Sequence, residues 1–235
     1  MNAPILITGG AQRIGLAIAN YFIDRDIPVI ITYRTKHDAV ATLEAQGAHC
    51  IQIDFDHPNA VSLLAEQVKA HTPQLRAVIH NASSWDCEKL NPDHSALFDN
   101  MMRIHAKVPY LLNLALAPLL EACSNVSDII HITDYVAEKG SPKHIAYAAS
   151  KAALDNLSRS FAAKYAPHIK VNSIAPSLII FNEHDDAAYR EKTLKKSLMG
   201  IEPGCQEVIS SIELLLNSSY ITGRTLAVDG GRHLK

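Results

Sequence analysis

Short runs rich in β-branched residues recur along the whole chain, and each is followed by a longer stretch with helical periodicity. Few folds accept that rhythm. Residues 5–7, 29–33, 49–53, 77–80, 128–133, 169–174 and 225–228 read as strands. Helices are predicted at about 14–24, 38–46, 59–70, 94–122, 146–165 and 206–216. Strands that alternate with helices pair in parallel through right-handed crossovers, so the expectation is an α/β doubly wound sheet of the Rossmann type. No linker, repeat or low-complexity tract interrupts it, and residues 1–235 read as a single domain. Ligands of such sheets bind in the crevice beyond the carboxyl ends of the strands, which is where chemistry should sit.

Composition narrows the partners. The formal net charge is −2, so there is no electrostatic footprint for nucleic acid or an anionic membrane. Apolar stretches such as 111–120 are too short to span a bilayer. The opening Met1-Asn2-Ala3-Pro4 runs straight into the first strand and leaves no room for a signal peptide. Four cysteines, Cys50, Cys87, Cys123 and Cys205, lie far apart with no Cys-x-x-Cys pair, which reads as a reduced, cytoplasmic chain. Glu183-His184-Asp185-Asp186 is the densest cluster around any of the histidines, but it matches no zinc spacing. A loop or helix cap is expected there, and no metal.

The first strand ends in Thr8-Gly9-Gly10-Ala11-Gln12-Arg13-Ile14-Gly15. Glycines between a strand and a helix let the backbone turn tightly and approach a pyrophosphate, which the helix N-terminus then favours. Arg13 stands where such a loop normally carries its middle glycine, and a guanidinium there can face a phosphate or a polar substrate edge. The second strand bears on cofactor choice. NAD-preferring sites place an acid about 20 residues past the glycines. Here Tyr33-Arg34-Thr35-Lys36 follows instead, with no acid before Asp38. Arg34 and Lys36 suit the 2′-phosphate of NADPH; the plain alternative is two solvated surface cations. Asp54, after the third strand, is placed to accept from an adenine amino group. After the fourth, His80-Asn81-Ala82-Ser83 puts small residues where backbone lies against a cofactor.

Tyr-x-x-x-Lys occurs twice. Tyr135 and Lys139 precede the breaker cluster Gly140-Ser141-Pro142 and need not share a helical face. Tyr147 and Lys151 lie in Tyr-Ala-Ala-Ser-Lys-Ala-Ala-Leu, a strong helix in which i and i+4 are neighbours. A lysine there is expected to lower the phenol's pKa and make it a usable acid near neutrality. Asp134, at the end of the fifth strand, is either an exposed turn residue or a proton-relay partner. Trp85, the only tryptophan, reads as core packing or as a substrate contact.

These residues resemble the short-chain dehydrogenase/reductase family along nearly the whole chain. The shared marks are Thr8-Gly9, Gly15, Asp54, Asn81-Ala82, Tyr147-x-x-x-Lys151, Val171-Asn172 and Tyr220-Ile221-Thr222-Gly223. Three features are similar to pteridine reductases within it: Arg13, the run Asn81-Ala82-Ser83-Ser84-Trp85, and Asp134 where most relatives have a carbonyl-holding serine. The resemblance implies catalysis by Tyr147, Lys151 and Asp134. It implies NADPH held by Thr8, Gly9, Arg13, Ile14, Gly15, Tyr33, Arg34, Thr35, Lys36, Asp54, Asn81, Ala82, Lys151, Pro176 and Ser177. A small-molecule 7,8-dihydropterin, dihydromonapterin or secondarily dihydrofolate, would be stacked on Trp85 and contacted by Arg13, Ser83, Asp134 and Tyr147. It also implies a substrate-covering segment at about 177–204 and a homotetramer. Two positions depart from the family: His105 replaces a relay asparagine, and Ser177 replaces a glycine after Pro176. An ordinary reductase of 3-oxoacyl or sugar carbonyls, and a catalytically idle NADP-sensing protein, stand as the alternatives.

Overall fold

Strand side chains point alternately to the two faces of a sheet, and here both faces are covered, which is why the strands read as continuous apolar runs. Leu6, Ile30, Val78, Ile129 and Val171 pack into one core. Ile7, Ile31, Ile79, Ile130 and Ile174 pack into the other. The computed structural model describes residues 3–235. The opening Met1-Asn2, on which the expectation about a signal peptide partly rests, lies outside the described residues.

The strands are β1 (Ile5–Thr8), β2 (Val29–Tyr33), β3 (His49–Gln52), β4 (Ala77–His80), β5 (Ser127–Ile132), β6 (Ile169–Pro176) and β7 (Thr225–Val228). They form one seven-stranded sheet in the order β3-β2-β1-β4-β5-β6-β7. Every pairing is parallel. The α-helices are α1 (Arg13–Ile23), α2 (Asp38–Ala45), α3 (Ala60–His71), α4 (His94–Met102), α5 (Val108–Glu121), α6 (Val136–Lys139), α7 (Ile145–Tyr165), α8 (Ala187–Leu194) and α9 (Gln206–Asn217). Helices α3, α5 and α7 supply residues such as Leu64, Leu116 and Phe161 to the first core. Helices α1, α2 and α9 supply Ile18, Leu43 and Ile212 to the second.

The order in which strands are added reverses between β1 and β4, and the crevice opens at that switch point. The long helical region read at 94–122 is two α-helices joined by a π turn, Arg103–Lys107. Two short helices, α6 and α8, were not anticipated. Asp186 caps α8, its carboxylate accepting from Tyr189 N at 2.7 Å, and Asp185 accepts from Asn182 N at 2.8 Å. The acidic cluster at 183–186 therefore organises a helix start. Among the described residues, no group of three or more His, Cys, Asp or Glu is placed to hold a metal, and no helix is long and apolar enough to cross a membrane.

Candidate active site

A cleft of about 690 Å³ lies over the carboxyl ends of β1, β2, β4, β5 and β6. Its floor is the turn after β1. Gly9 takes a left-handed φ of +67°, and a side chain on it would stand 3.0 Å from Ala82 Cα. A Cβ on Gly15 would stand 2.2 Å from Gly9 O, so only glycine lets the start of α1 press against the turn. Thr8 is buried behind this floor; its hydroxyl accepts from the backbone of Asn81 and Ala82 at 3.1 and 3.0 Å. Asn81 Nδ2 donates to Thr8 O and Gly9 O. Thr8 and Asn81 thus clamp β1 to β4, and Thr8 itself does not line the cleft.

The site fits a phosphorylated dinucleotide. Gln12 precedes α1 without capping it through its side chain, and no acid lies in the first turn. The helix start is left facing the cleft, with its N–H groups available to an anion. Gly9, Arg13, Ile14, Gly15, Tyr33, Arg34, Thr35, Asp54, Asn81, Ala82, Lys151, Pro176 and Ser177 all line the cleft. Lys36 does not; His37 takes its place along the wall. The cationic contact expected of the pair therefore falls to Arg34 alone.

The candidate catalytic residues centre on α7. Tyr147 Oη donates to Asp134 Oδ2 at 2.9 Å. Lys151, one turn on and buried, donates from Nζ to Ile132 O at 2.9 Å. Burial pulls the Lys151 ammonium down to about 8, opposed by the Asp134 charge. The expected depression of the phenol is not found. Burial, and then the adjacent Asp134 charge, hold the Tyr147 phenol well above its usual pKa. Nζ sits 5.7 Å from the ring centroid, whereas the carboxylate touches the hydroxyl. Asp134 is itself raised, by burial, against the opposing Val136 N–H and Lys151 charge. Phenol and carboxyl are thus hydrogen-bonded to each other, and burial favours the protonated form of each. The other motif is spent elsewhere: Arg232 covers the Tyr135 ring at 4.2 Å, and Lys139 Nζ donates to Lys235 O.

On the opposite wall, Trp85 is 60% exposed and lines the cleft, tilted against His144 at 4.7 Å. That rules out the core-packing reading. Ser83 also faces the cleft, with its Oγ 2.7 Å from His105 Nε2. His105 Nδ1 lies 2.8 Å from Ser150 Oγ, on α7. Burial, reinforced by Lys151, keeps this imidazole neutral. It bridges Ser83 to α7, and it is carried by the π turn. Arg13 holds a left-handed φ of 51°, the conformation glycine would supply. Its guanidinium donates to Asn182 Oδ1 and Ile180 O, tying the turn after β1 to the segment after β6. Phe55 and Ile104 complete the apolar lining; neither carries a motif that marks it in the sequence.

A glycine turn at the switch point, with Tyr147 and Lys151 facing it across the cleft, defines a nucleotide-dependent oxidoreductase. A family model described as enoyl-(acyl carrier protein) reductase matches residues 9–233, and the chain belongs to the short-chain dehydrogenase/reductase family. Within that family it is 57% identical to the dihydromonapterin reductases of Citrobacter koseri and Klebsiella pneumoniae, across 99% of this chain and 97% of each of theirs. The structure of FolM alternative dihydrofolate reductase 1 from Brucella suis in complex with NADP is similar at a TM-score of 0.89. Identity there is 29%, with 100% of this chain and 96% of that chain covered.

Proposed function

We propose that this protein reduces the C=N bond of a 7,8-dihydropterin, with 7,8-dihydromonapterin preferred and dihydrofolate a second substrate. The observation that carries the reading is the contact between Tyr147 and Asp134. A ketone reductase holds its carbonyl with a hydroxyl at the place of Asp134. An imine instead needs a hydride at carbon and a proton at nitrogen, and a carboxyl bonded to the phenol supports the second.

NADPH supplies the hydride when bound. Arg34 fits the 2′-phosphate, Asp54 the adenine, and the turn from Gly9 to Gly15 the pyrophosphate. Trp85 presents its indole to the pterin face turned away from the cofactor, holding the ring parallel to the donor. Arg13 and Ser83 meet its polar edges. With Asp134 protonated, Tyr147 passes its proton to the ring nitrogen while Asp134 restores it, so no phenolate accumulates. The segment at about 177–204, held by Arg13, covers the bound substrate.

NADPH oxidation measured against dihydromonapterin, dihydrofolate and small ketones tests the assignment. Fast turnover of the dihydropterins, with little of the ketones and little with NADH, is expected. Preferential ketone turnover would return the protein to the carbonyl reductases, and NADPH binding without any turnover would mark a sensor. All four cysteines are free, which agrees with a cytoplasmic setting. A homotetramer is proposed as the assembly, because α4 and α5 leave Phe98, Tyr110 and Leu114 exposed. Light scattering that returned a monomer mass would exclude it.

A further inference from the structure

The direction of each hydrogen bond around His105 decides what Ser83 can offer to the cleft. Ser150 lies on α7, and its Oγ donates to Tyr147 O at 2.7 Å. A hydroxyl carries one proton, so Ser150 Oγ meets His105 Nδ1, 2.8 Å away, as an acceptor. His105 is 1% exposed. Burial, and then the Lys151 charge, keep its ring neutral against the opposing pull of the Met101 carbonyl. A neutral imidazole has a single N–H, and here it sits on Nδ1, facing Ser150. Nε2 is then a bare acceptor 2.7 Å from Ser83 Oγ, and the Ser83 proton goes to it. The other acceptor within reach of that hydroxyl, Ser84 O, stands at 3.4 Å and competes poorly.

Ser83 therefore turns lone pairs, and no proton, toward the cleft it lines with Trp85, Asp134 and Tyr147. His105 also meets the Tyr147 ring edge to face, with centroids 5.4 Å apart and planes at 87°. One buried imidazole thus sets the polarity of Ser83 and packs on the phenol. An oxygen that only accepts can bind an N–H, whereas a carbonyl placed against it leaves two acceptors unpaired. A 7,8-dihydropterin carries donors at its 2-amino group, N3 and N8. A simple ketone carries none.

We infer that His105 is a positioning residue that fixes the Ser83 hydroxyl as a hydrogen-bond acceptor, so that the site selects substrates presenting an N–H at this wall. The inference rests on the dihydropterin reading above. It gives that reading a device by which an aminated heterocycle is preferred to a keto compound.

The test measures Kd in complexes with NADP+, where no hydride moves and affinity is read apart from chemistry. The ligands are 6-methyl-7,8-dihydropterin and its 2-oxo, 3-methyl and 8-methyl analogues, each of which removes one donor. The wild type should bind the parent about tenfold more tightly than the analogue lacking the donor that faces Ser83. Ser83→Ala and His105→Phe should each erase that preference by weakening the parent, while the analogue's Kd moves less than about twofold. His105→Gln should keep most of the preference, because its amide can accept from Ser83 and donate to Ser150. Ser83→Ala changes one exposed side chain, so it tests the contact even if the buried replacement unfolds the protein. Equal weakening of parent and analogue in both variants marks a merely structural role and overturns the inference. So does a wild type that binds all four ligands alike or prefers the 2-oxo analogue, or a penalty that persists in Ser83→Ala. A wild type that binds NADP+ but none of the four ligands ends the dihydropterin reading itself, and this inference with it.

Discussion

Trp85 separates a binding role from a packing role at the level of one side chain. With more than half its surface exposed in the cleft, truncation to alanine removes little buried area. Trp85→Ala should change stability by less than about 1 kcal/mol. It should also weaken dihydropterin binding by on the order of 1–3 kcal/mol, by analogy with base–aromatic stacking, and lower kcat through lost alignment. Thermal melts and steady-state kinetics check both halves; an early melt with normal kinetics would refute the stacking role. Arg34 makes a second prediction at this scale. Lys36 stands outside the cleft lining, so Arg34→Ala alone should raise the Kd for NADPH roughly tenfold, the worth of one charge-assisted contact. NADH binding should hardly change, and Lys36→Ala should be near neutral. Fluorescence titration with both cofactors would expose the opposite ranking.

At the scale of elements, α7, the proposed catalytic helix, is held at its start by the loop that carries Trp85. Glu88 Oε1 accepts from Ala146 N at 2.8 Å, an N-terminal cap delivered from a distant segment. Glu88→Ala should cost about 1 kcal/mol, as lost caps do, and raise KM for dihydropterins by loosening the loop. The Ala146 N–H holds the Glu88 carboxyl below its usual pKa. Its contribution is therefore fully present above the ordinary glutamate range and is lost as pH falls through the depressed value. Equal melting temperatures for variant and wild type at neutral pH would remove the cap from the account. The regular elements were legible in the sequence because strands covered on both faces and helices with one apolar stripe leave periodic signals. Helix α8 left none: of its eight residues only Thr193 is buried. The π turn was equally silent, since His94 to Ala122 keeps a helical pattern through it. What it achieves, aiming His105 at Ser83 and Ser150, shows only in three dimensions. That Lys36 stands outside the cleft lining was hidden for a similar reason. Spacing brings a residue to a strand end, but local backbone decides whether its head group reaches the cleft.

Across the whole molecule, the sheet order gathers residues from β1, β4, β5 and α7 at one switch point, although they span most of the chain. Thr8 clamps Asn81, His105 joins Ser83 to Ser150, and Lys151 braces β5, so the cofactor floor and the proton-holding pair share one scaffold. The central claim is that this scaffold makes Tyr147 and Asp134 a single acid for a C=N bond. Because burial raises Asp134 above its usual pKa, the pair should be protonated and competent at low pH and lose its proton as pH rises. Single-turnover hydride transfer from NADPH to 7,8-dihydromonapterin, followed across pH in the wild type and in Asp134→Asn, measures this directly. The wild-type rate should be highest in acid and fall through a pKa above the ordinary carboxylate range. The variant should be slower by an order of magnitude or more, on the scale of a lost general acid, and should lack that step. Identical rates and identical profiles in the two proteins would contradict the account.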